Sequence, residues 1–317
     1  MNPALPARLR IALDGLLEGV SRKDLAARAQ AISKLYRGGS GSALAVTDEL
    51  DTLAYVVARL PATYAVALAV LEQARGSVPD FAPRSLLDAG AGPATASWAA
   101  REVWPDIARL TLTDSNPHFL GLARKLSPAA DANFLSADLS RDGLPQADLV
   151  IAGFVLAEIP AAARRGVVER LYAAATDVLV LVEPGTPDGF ARIRAARDTL
   201  IASGAGVLGP CTHAQSCPIV APDWCHFSQR LPRSRDHMHV KGASVPYEDE
   251  RYAWLAVSRA RGSAFEGKAR VLAPPKETKP GIELKLCTPS GLENRFIAKR
   301  DADAFRRVRK AEWGDVV

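Results

Sequence analysis

The segment Leu86-Leu87-Asp88-Ala89-Gly90-Ala91-Gly92-Pro93-Ala94 constrains this chain more than any other. An apolar run ending in an acid reads as a buried strand, Gly-x-Gly turns the backbone sharply, and the residues from Thr95 onward read as a helix. Glycines let a ligand approach the main chain, and the N–H groups that open a helix are free to bind it. Dinucleotide folds place a third glycine three positions after the second, where this chain has Thr95. The unit is therefore expected at the carboxyl edge of a parallel sheet, with a ligand other than a dinucleotide.

The rest of the chain supports that setting. Short apolar runs at Ser85–Asp88, Arg109–Thr113, Ala132–Leu135, Asp148–Gly153 and Val178–Val182 alternate with helical patterns near Thr95–Val103, Pro117–Lys125, Ala161–Ala174 and Asp188–Ser203. That rhythm predicts an α/β, doubly wound, Rossmann-like core over residues 81–203. Residues 1–80 read as a helical region. Asp48–Leu60 carries an apolar stripe at helical spacing, Pro61 interrupts it, and a second apolar helix is expected from Ala62 to Arg75. Residues 204–317 read as a cysteine-rich, basic C-terminal region that completes the sheet. Its Gly-, Pro-, Cys- and His-rich stretch precedes strand-like segments at Tyr252–Ser258, Lys268–Leu272, Ile282–Leu286 and Arg295–Ala298, and a final helix at Ala302–Ala311.

Charge is unevenly spread. The net charge is +5, yet residues 201–317 carry 19 basic against 13 acidic side chains. A positive excess confined to the C-terminal third suits a polyanionic partner, although a solvated basic surface has the same composition. Arg230, Arg233 and Arg235, and Arg306, Arg307, Arg309 and Lys310, are the expected local contacts. Apolar runs such as Leu149–Leu156 fall far short of the ~20 residues of a membrane-spanning helix, so no membrane partner is expected. The first twenty residues read as a helix without a cleavable signal, from which a cytoplasmic location is expected.

The acid before the glycine turn resembles motif I of Rossmann-like methyltransferases that bind S-adenosylmethionine. The resemblance implies that Asp88 orients the amino-acid part of the cofactor while Gly90 and Gly92 pass beside it. Ala94 stands where that family usually has its third glycine. Asp114 closes the next strand, 26 residues after Asp88, where the family places a carboxylate on both ribose hydroxyls. Asp138 follows the third strand, the position that often meets the adenine. Each acid alone is more often a helix cap or surface residue; three at successive strand ends point to a ligand.

All four cysteines, Cys211, Cys217, Cys225 and Cys287, lie beyond residue 210. A chain of this length needs no disulfide staples, so a metal or cluster site is the expected use. No pair has the two-to-four-residue spacing of a zinc knuckle. Spacing alone leaves an iron–sulfur cluster, zinc on four thiolates, zinc on three thiolates and a histidine, and four buried reduced thiols without a metal all open. His213 and His226 are candidate ligands, neighbours of ligands or RNA contacts, while His237 and His239 beside Arg233 and Arg235 read as a basic loop.

Together the motif I segment, Leu181-Val182-Glu183-Pro184-Gly185-Thr186-Pro187, the Cys211-Thr212-His213 and Cys217-Pro218 pair, Asp223-Trp224-Cys225-His226-Phe227 and Arg309-Lys310-Ala311-Glu312-Trp313-Gly314-Asp315 resemble the mitochondrial ribosomal small-subunit Rsm-twenty-two family. The resemblance covers roughly residues 30–315. It implies that Cys211, Cys217, Cys225 and Cys287 hold a 4Fe-4S cluster, and that the partners are the small ribosomal subunit and its rRNA, with no DNA. The resemblance also implies a mitochondrial location for eukaryotic relatives.

The chemistry is less defined. Base N-methylation commonly uses an Asn/Asp-Pro-Pro-aromatic motif after the fourth strand, where this chain has Gly153-Phe154-Val155-Leu156-Ala157-Glu158-Ile159-Pro160. No cysteine lies near the turn to attack a cytosine ring. No catalytic residue is assigned. The expected function is an S-adenosylmethionine-dependent rRNA methyltransferase in small-subunit biogenesis. The alternatives are a non-catalytic iron–sulfur-dependent RNA-binding assembly factor and a small-molecule methyltransferase with a structural zinc.

Overall fold

The computed structural model describes residues 3–37 and 45–317. Residues 1–2 and 38–44 of the expected helical region lie outside the described residues. Helices α1 (Ala7–Leu16), α2 (Arg22–Arg37) and α3 (Glu49–Ser77) come first. Asp48 caps α3 by accepting from the Asp51 N–H, and Arg28 of α2 pairs with both Asp48 and Asp51. α3 is one helix, not the expected two, and Pro61 sits inside it. A helix buried on nearly every side gains more from packing than one missing hydrogen bond removes. Its length and mean hydropathy of 1.6 make it the one described helix long and apolar enough to cross a membrane, which splitting the run at Pro61 had hidden. Here 78% of that apolar window is buried inside the protein.

Strands β1 (Ser85–Ala89), β2 (Arg109–Asp114), β3 (Asn133–Ser136), β4 (Ala147–Gly153) and β5 (Ala175–Pro184) are parallel in the order β3-β2-β1-β4-β5. Helices α4 (Thr95–Val103), α5 (Pro117–Leu126) and α6 (Ala161–Ala174) lie between them, and α7 (Pro187–Ala202) follows β5. The sheet continues through β6 (Gly206–Gly209), β7 (Phe227–Pro232) and the long β8 (Tyr247–Ser258), which runs antiparallel to β5, β6 and β7. This is a Rossmann-like α/β sheet with an antiparallel addition at one edge.

Alternation along the strands makes two cores. Leu86, Leu112, Ile151 and Val180 pack with α3, α4 and α5, while Leu87, Val150, Leu179 and Leu255 pack with α6 and α7. Helix α8 (Arg235–Lys241) follows β7. The C-terminal residues form a second, antiparallel sheet of β9 (Arg270–Val271), β10 (Lys276–Glu277), β11 (Gly281–Thr288) and β12 (Gly291–Ala298), followed by α9 (Ala302–Val308). Its own small core comprises Val271, Ile282, Leu284, Leu286 and Val308.

Candidate functional site: a glycine cradle and a four-thiol cavity

The turn after β1 is left-handed at Gly90, Gly92 and Ala94, with φ of 71°, 52° and 66°. Gly90 is obligatory on two grounds. A Cβ there would lie 2.2 Å from Val155 Cγ1, and its φ disfavours any side chain. The N–H groups of Gly90 and Ala91 donate to the Thr113 carbonyl at 2.8 and 2.9 Å, tying the turn to β2. Gly92 donates to Asp114 Oδ2 at 2.9 Å, and the Asn116 N–H to Asp114 Oδ1 at 2.8 Å. The side of Gly92 where a Cβ would stand is open space, so the backbone forms a cradle beside Asp114.

Asp88, Gly90, Gly92 and Asp114 are thus brought together. Asp88 faces inward: its Oδ2 accepts from the Ser97 N–H and hydroxyl at 2.9 and 2.7 Å, locking β1 to α4. Burial pushes Asp88 up to about 7, against the Ser97 hydrogen bonds and with the charge of Asp114 adding to the rise. Burial likewise raises Asp114 to about 6, opposed by its backbone donors and assisted by Glu158. Asp138 has a local role, accepting from the Ser140 N–H at 2.8 Å and pairing with Arg141 at 3.2 Å. Its neighbour Leu139 reaches Gly90, so that turn borders the cradle.

The loop after β4 closes over the turn. Phe154 adopts a left-handed φ of 63°, and its N–H donates to the Val182 carbonyl at 2.7 Å. Glu183, fully buried, accepts from the Leu156 N–H at 3.0 Å and pairs with Arg192 at 2.5 Å. The acid of the Leu181–Pro187 motif therefore fixes the loop that carries Val155. The N-terminal region covers the far corner, where Asn116 Nδ2 donates to the Val46 carbonyl at 3.0 Å.

Cys211, Cys217, Cys225 and Cys287 line one cavity between α7, β8 and the second sheet. Cys287 is buried on β11, opposite Arg270 in the register with β9. Its Sγ lies 3.6 Å from His213 Nε2. Burial raises the Cys211, Cys225 and Cys287 thiols, Cys287 to about 12, and charge on the other sulfurs would raise each further. All four are free thiols, and among the described residues no group of three His, Cys, Asp or Glu is arranged to hold a metal ion. His226 lies between Trp224, stacked at 5.0 Å, and Trp313, edge-on at 4.9 Å. Trp224 also donates its indole N–H to the Gly185 carbonyl at 3.0 Å, joining the cysteine loop to the end of β5.

Two of the expected cations are paired within the protein, and the expected loop at His237 is a helix. Arg230 is taken up by Asp249 at 2.8 Å, and Arg233 pairs with Glu248 at 3.2 Å, so both have carboxylate partners within the protein. His237 is fully buried in α8 with Nε2 3.2 Å from Glu248, where the sequence reads as a basic loop; Ser234 caps the helix that buries it. Arg306, Arg307, Arg309 and Lys310 are exposed. Sequence reasoning missed Ser97, Asn116, Arg192, Arg197 and Arg270; Ser97 and Arg192 meet partners nine residues away across a strand–helix turn, and the other three meet partners farther along the chain.

A family model described as "Mitochondrial small ribosomal subunit Rsm22" matches residues 49–317. The chain belongs to this family. A similar relative is the human mitochondrial ribosome assembly protein METTL17, 27% identical over 296 residues, which are 86% of this chain and 64% of that protein. The Rsm22-family chain thus spans less than two thirds of that relative's length. Among solved structures, the magnesium protoporphyrin IX methyltransferase of Synechocystis PCC 6803 with bound S-adenosylmethionine is 17% identical, with TM-score 0.41, covering 82% of this chain and all of that one. An O-methyltransferase family protein from Burkholderia thailandensis is 16% identical, with TM-score 0.44, covering 68% of this chain and 61% of that one.

Proposed function

We propose that this Rsm22-family chain acts in assembly of the small ribosomal subunit, holding S-adenosylmethionine in the glycine cradle and rRNA on its C-terminal region, and methylating that rRNA. The observation that carries the cofactor reading is the joined cradle: open space at Gly92 beside a carboxylate at the end of β2. Asp114 retains acceptor capacity for ribose hydroxyls beyond its two backbone donors. Bound there, the cofactor would supply an electrophilic methyl group. Gly90, Gly92 and Asp114 would position it, with Leu139 and Val155 bordering the turn.

The donor set suits a multi-metal thiolate cluster, not a single ion: soft sulfurs from two distant parts of the chain line one cavity, while no three His, Cys, Asp or Glu among the described residues are grouped to hold one metal ion. The 4Fe-4S cluster is the occupant proposed. Exposed Arg306, Arg307, Arg309 and Lys310, together with the half-exposed Phe296 on β12, supply cations and a stacking surface for RNA.

A second reading, binding without methyl transfer, is favoured by the loop after β4. It presents Glu158 as its sole ionisable group, and Val155 is pressed against Gly90. Incubation of the purified protein with radiolabelled S-adenosylmethionine and immature small-subunit particles separates the two. Label in rRNA supports methylation. Cofactor binding by calorimetry with no label in rRNA establishes the second reading, and absence of binding removes the cradle assignment.

A further inference from the structure

Two arginines beside the thiols have no role in the cradle or on the RNA-facing surface. Arg197 on α7 and Arg270 on β9 are each 3% exposed and line the same cavity as the four cysteines. Their hydrogen bonds go to neutral acceptors. Arg197 Nη2 donates to the carbonyls of His213 and Gln215 at 2.9 and 2.6 Å, and its buried Nε has no hydrogen-bond partner among the described residues. Arg270 donates to the carbonyls of Pro210 and Gly314 and to Gln73 Oε1, at 2.7, 2.5 and 2.9 Å. The nearby carboxylates are poor counter-charges. Asp198, 3.5 Å from Arg197, is largely exposed, and Asp315 accepts from the Glu312 N–H.

Buried charge is costly unless paired. With protonated thiols the cavity would hold two guanidinium charges and no anion. Four thiolates around a 4Fe-4S core in its oxidised state carry a net double negative charge, which two arginines balance. Reduction by one electron adds another negative charge, and adjacent cations favour that state.

We infer that Arg197 and Arg270 are the counter-charges of the metal–thiolate centre, retaining it in the cavity and raising its reduction potential. The inference rests on the cluster reading and assigns these two residues a role beyond it. Arg270 is suited to this by its cross-strand position opposite Cys287, and Arg197 by anchoring the loop between Cys211 and Cys217 through His213 and Gln215.

The test uses full-length protein purified anaerobically, as wild type and as Arg197→Gln, Arg197→Lys, Arg270→Gln and Arg270→Lys. Iron and acid-labile sulfide are assayed first, and the cluster is then titrated with dithionite and redox mediators, followed by electron paramagnetic resonance. The expected result is a more negative potential in each Gln variant and a near-wild-type potential in each Lys variant. Should a Gln variant lose its iron, recovery of iron by the matching Lys variant supports the same role. Full iron loading with an unchanged potential in both Gln variants would overturn the arginine role and leave the cluster reading standing. So would iron loss in the Gln and Lys variants alike, which would make the guanidinium hydrogen bonds, not the charge, the requirement. Wild-type protein without iron and sulfide would overturn the cluster reading itself, and the inference with it.

Discussion

Asp114 is a carboxylate held ready by two backbone donors, and its value to a bound cofactor lies in accepting further hydrogen bonds while ionised. Asp114→Ala should weaken S-adenosylmethionine binding by about 1.5–3 kcal/mol, the usual range for a hydrogen bond to a charged group, as read by isothermal calorimetry. Because burial holds this group near about 6, affinity should be flat at higher pH and decline as the pH falls through that value. Asp88 also bears on stability. Its folded value, raised to about 7 from 3.8, means the native state keeps a proton that the unfolded chain releases, so its contribution is full at low pH and is lost as the pH rises from about 4 to about 7. Asp88→Asn should remove that dependence: urea unfolding at several pH values would show the variant gaining on wild type across this window.

Among the elements, the glycine turn and the loop after β4 behave as one unit, because Gly90 meets Val155 and Glu183 fixes Leu156. Gly90→Ala should abolish cofactor binding, and adding Val155→Ala should restore it only in part, since the left-handed φ still costs about 1–2 kcal/mol in a residue with a side chain; calorimetry on both variants checks this. Glu183→Ala leaves Arg192 without its buried partner and should cost about 3–5 kcal/mol in chemical denaturation. The turn was legible in the sequence because its geometry is dictated locally, by glycines between a strand and a helix. The helices flanking the core strands were legible for the same reason, in their apolar periodicity. α3 was misread at Pro61 because burial on all sides outweighs a local break. β6 and β7 were missed because each is short and defined by pairing with β8, which a single segment does not reveal.

At the scale of the whole molecule, the cysteine loop, the end of β5 and the second sheet meet around the thiol cavity, and Trp224 and Arg270 link them. The cysteines could be named from sequence. The arginines could not, because a buried cation looks the same in a sequence as a solvated one. If the cavity holds the centre, anaerobic chelation of iron should raise hydrogen exchange in residues 209–230 and 270–298 and leave β1 and β2 protected. The positive excess of the C-terminal third should make RNA affinity fall steeply with salt, and removing exposed cations of the last helix should flatten that slope by roughly 0.7–0.9 per lost phosphate contact. The most direct measurement is crosslinking of the tagged protein to RNA in cells, with the crosslinked nucleotides mapped. Small-subunit rRNA, enriched in immature particles and lost when the last-helix cations are replaced, is the predicted result. Crosslinks spread over unrelated RNAs, or an absence of rRNA among them, would contradict a role in small-subunit assembly.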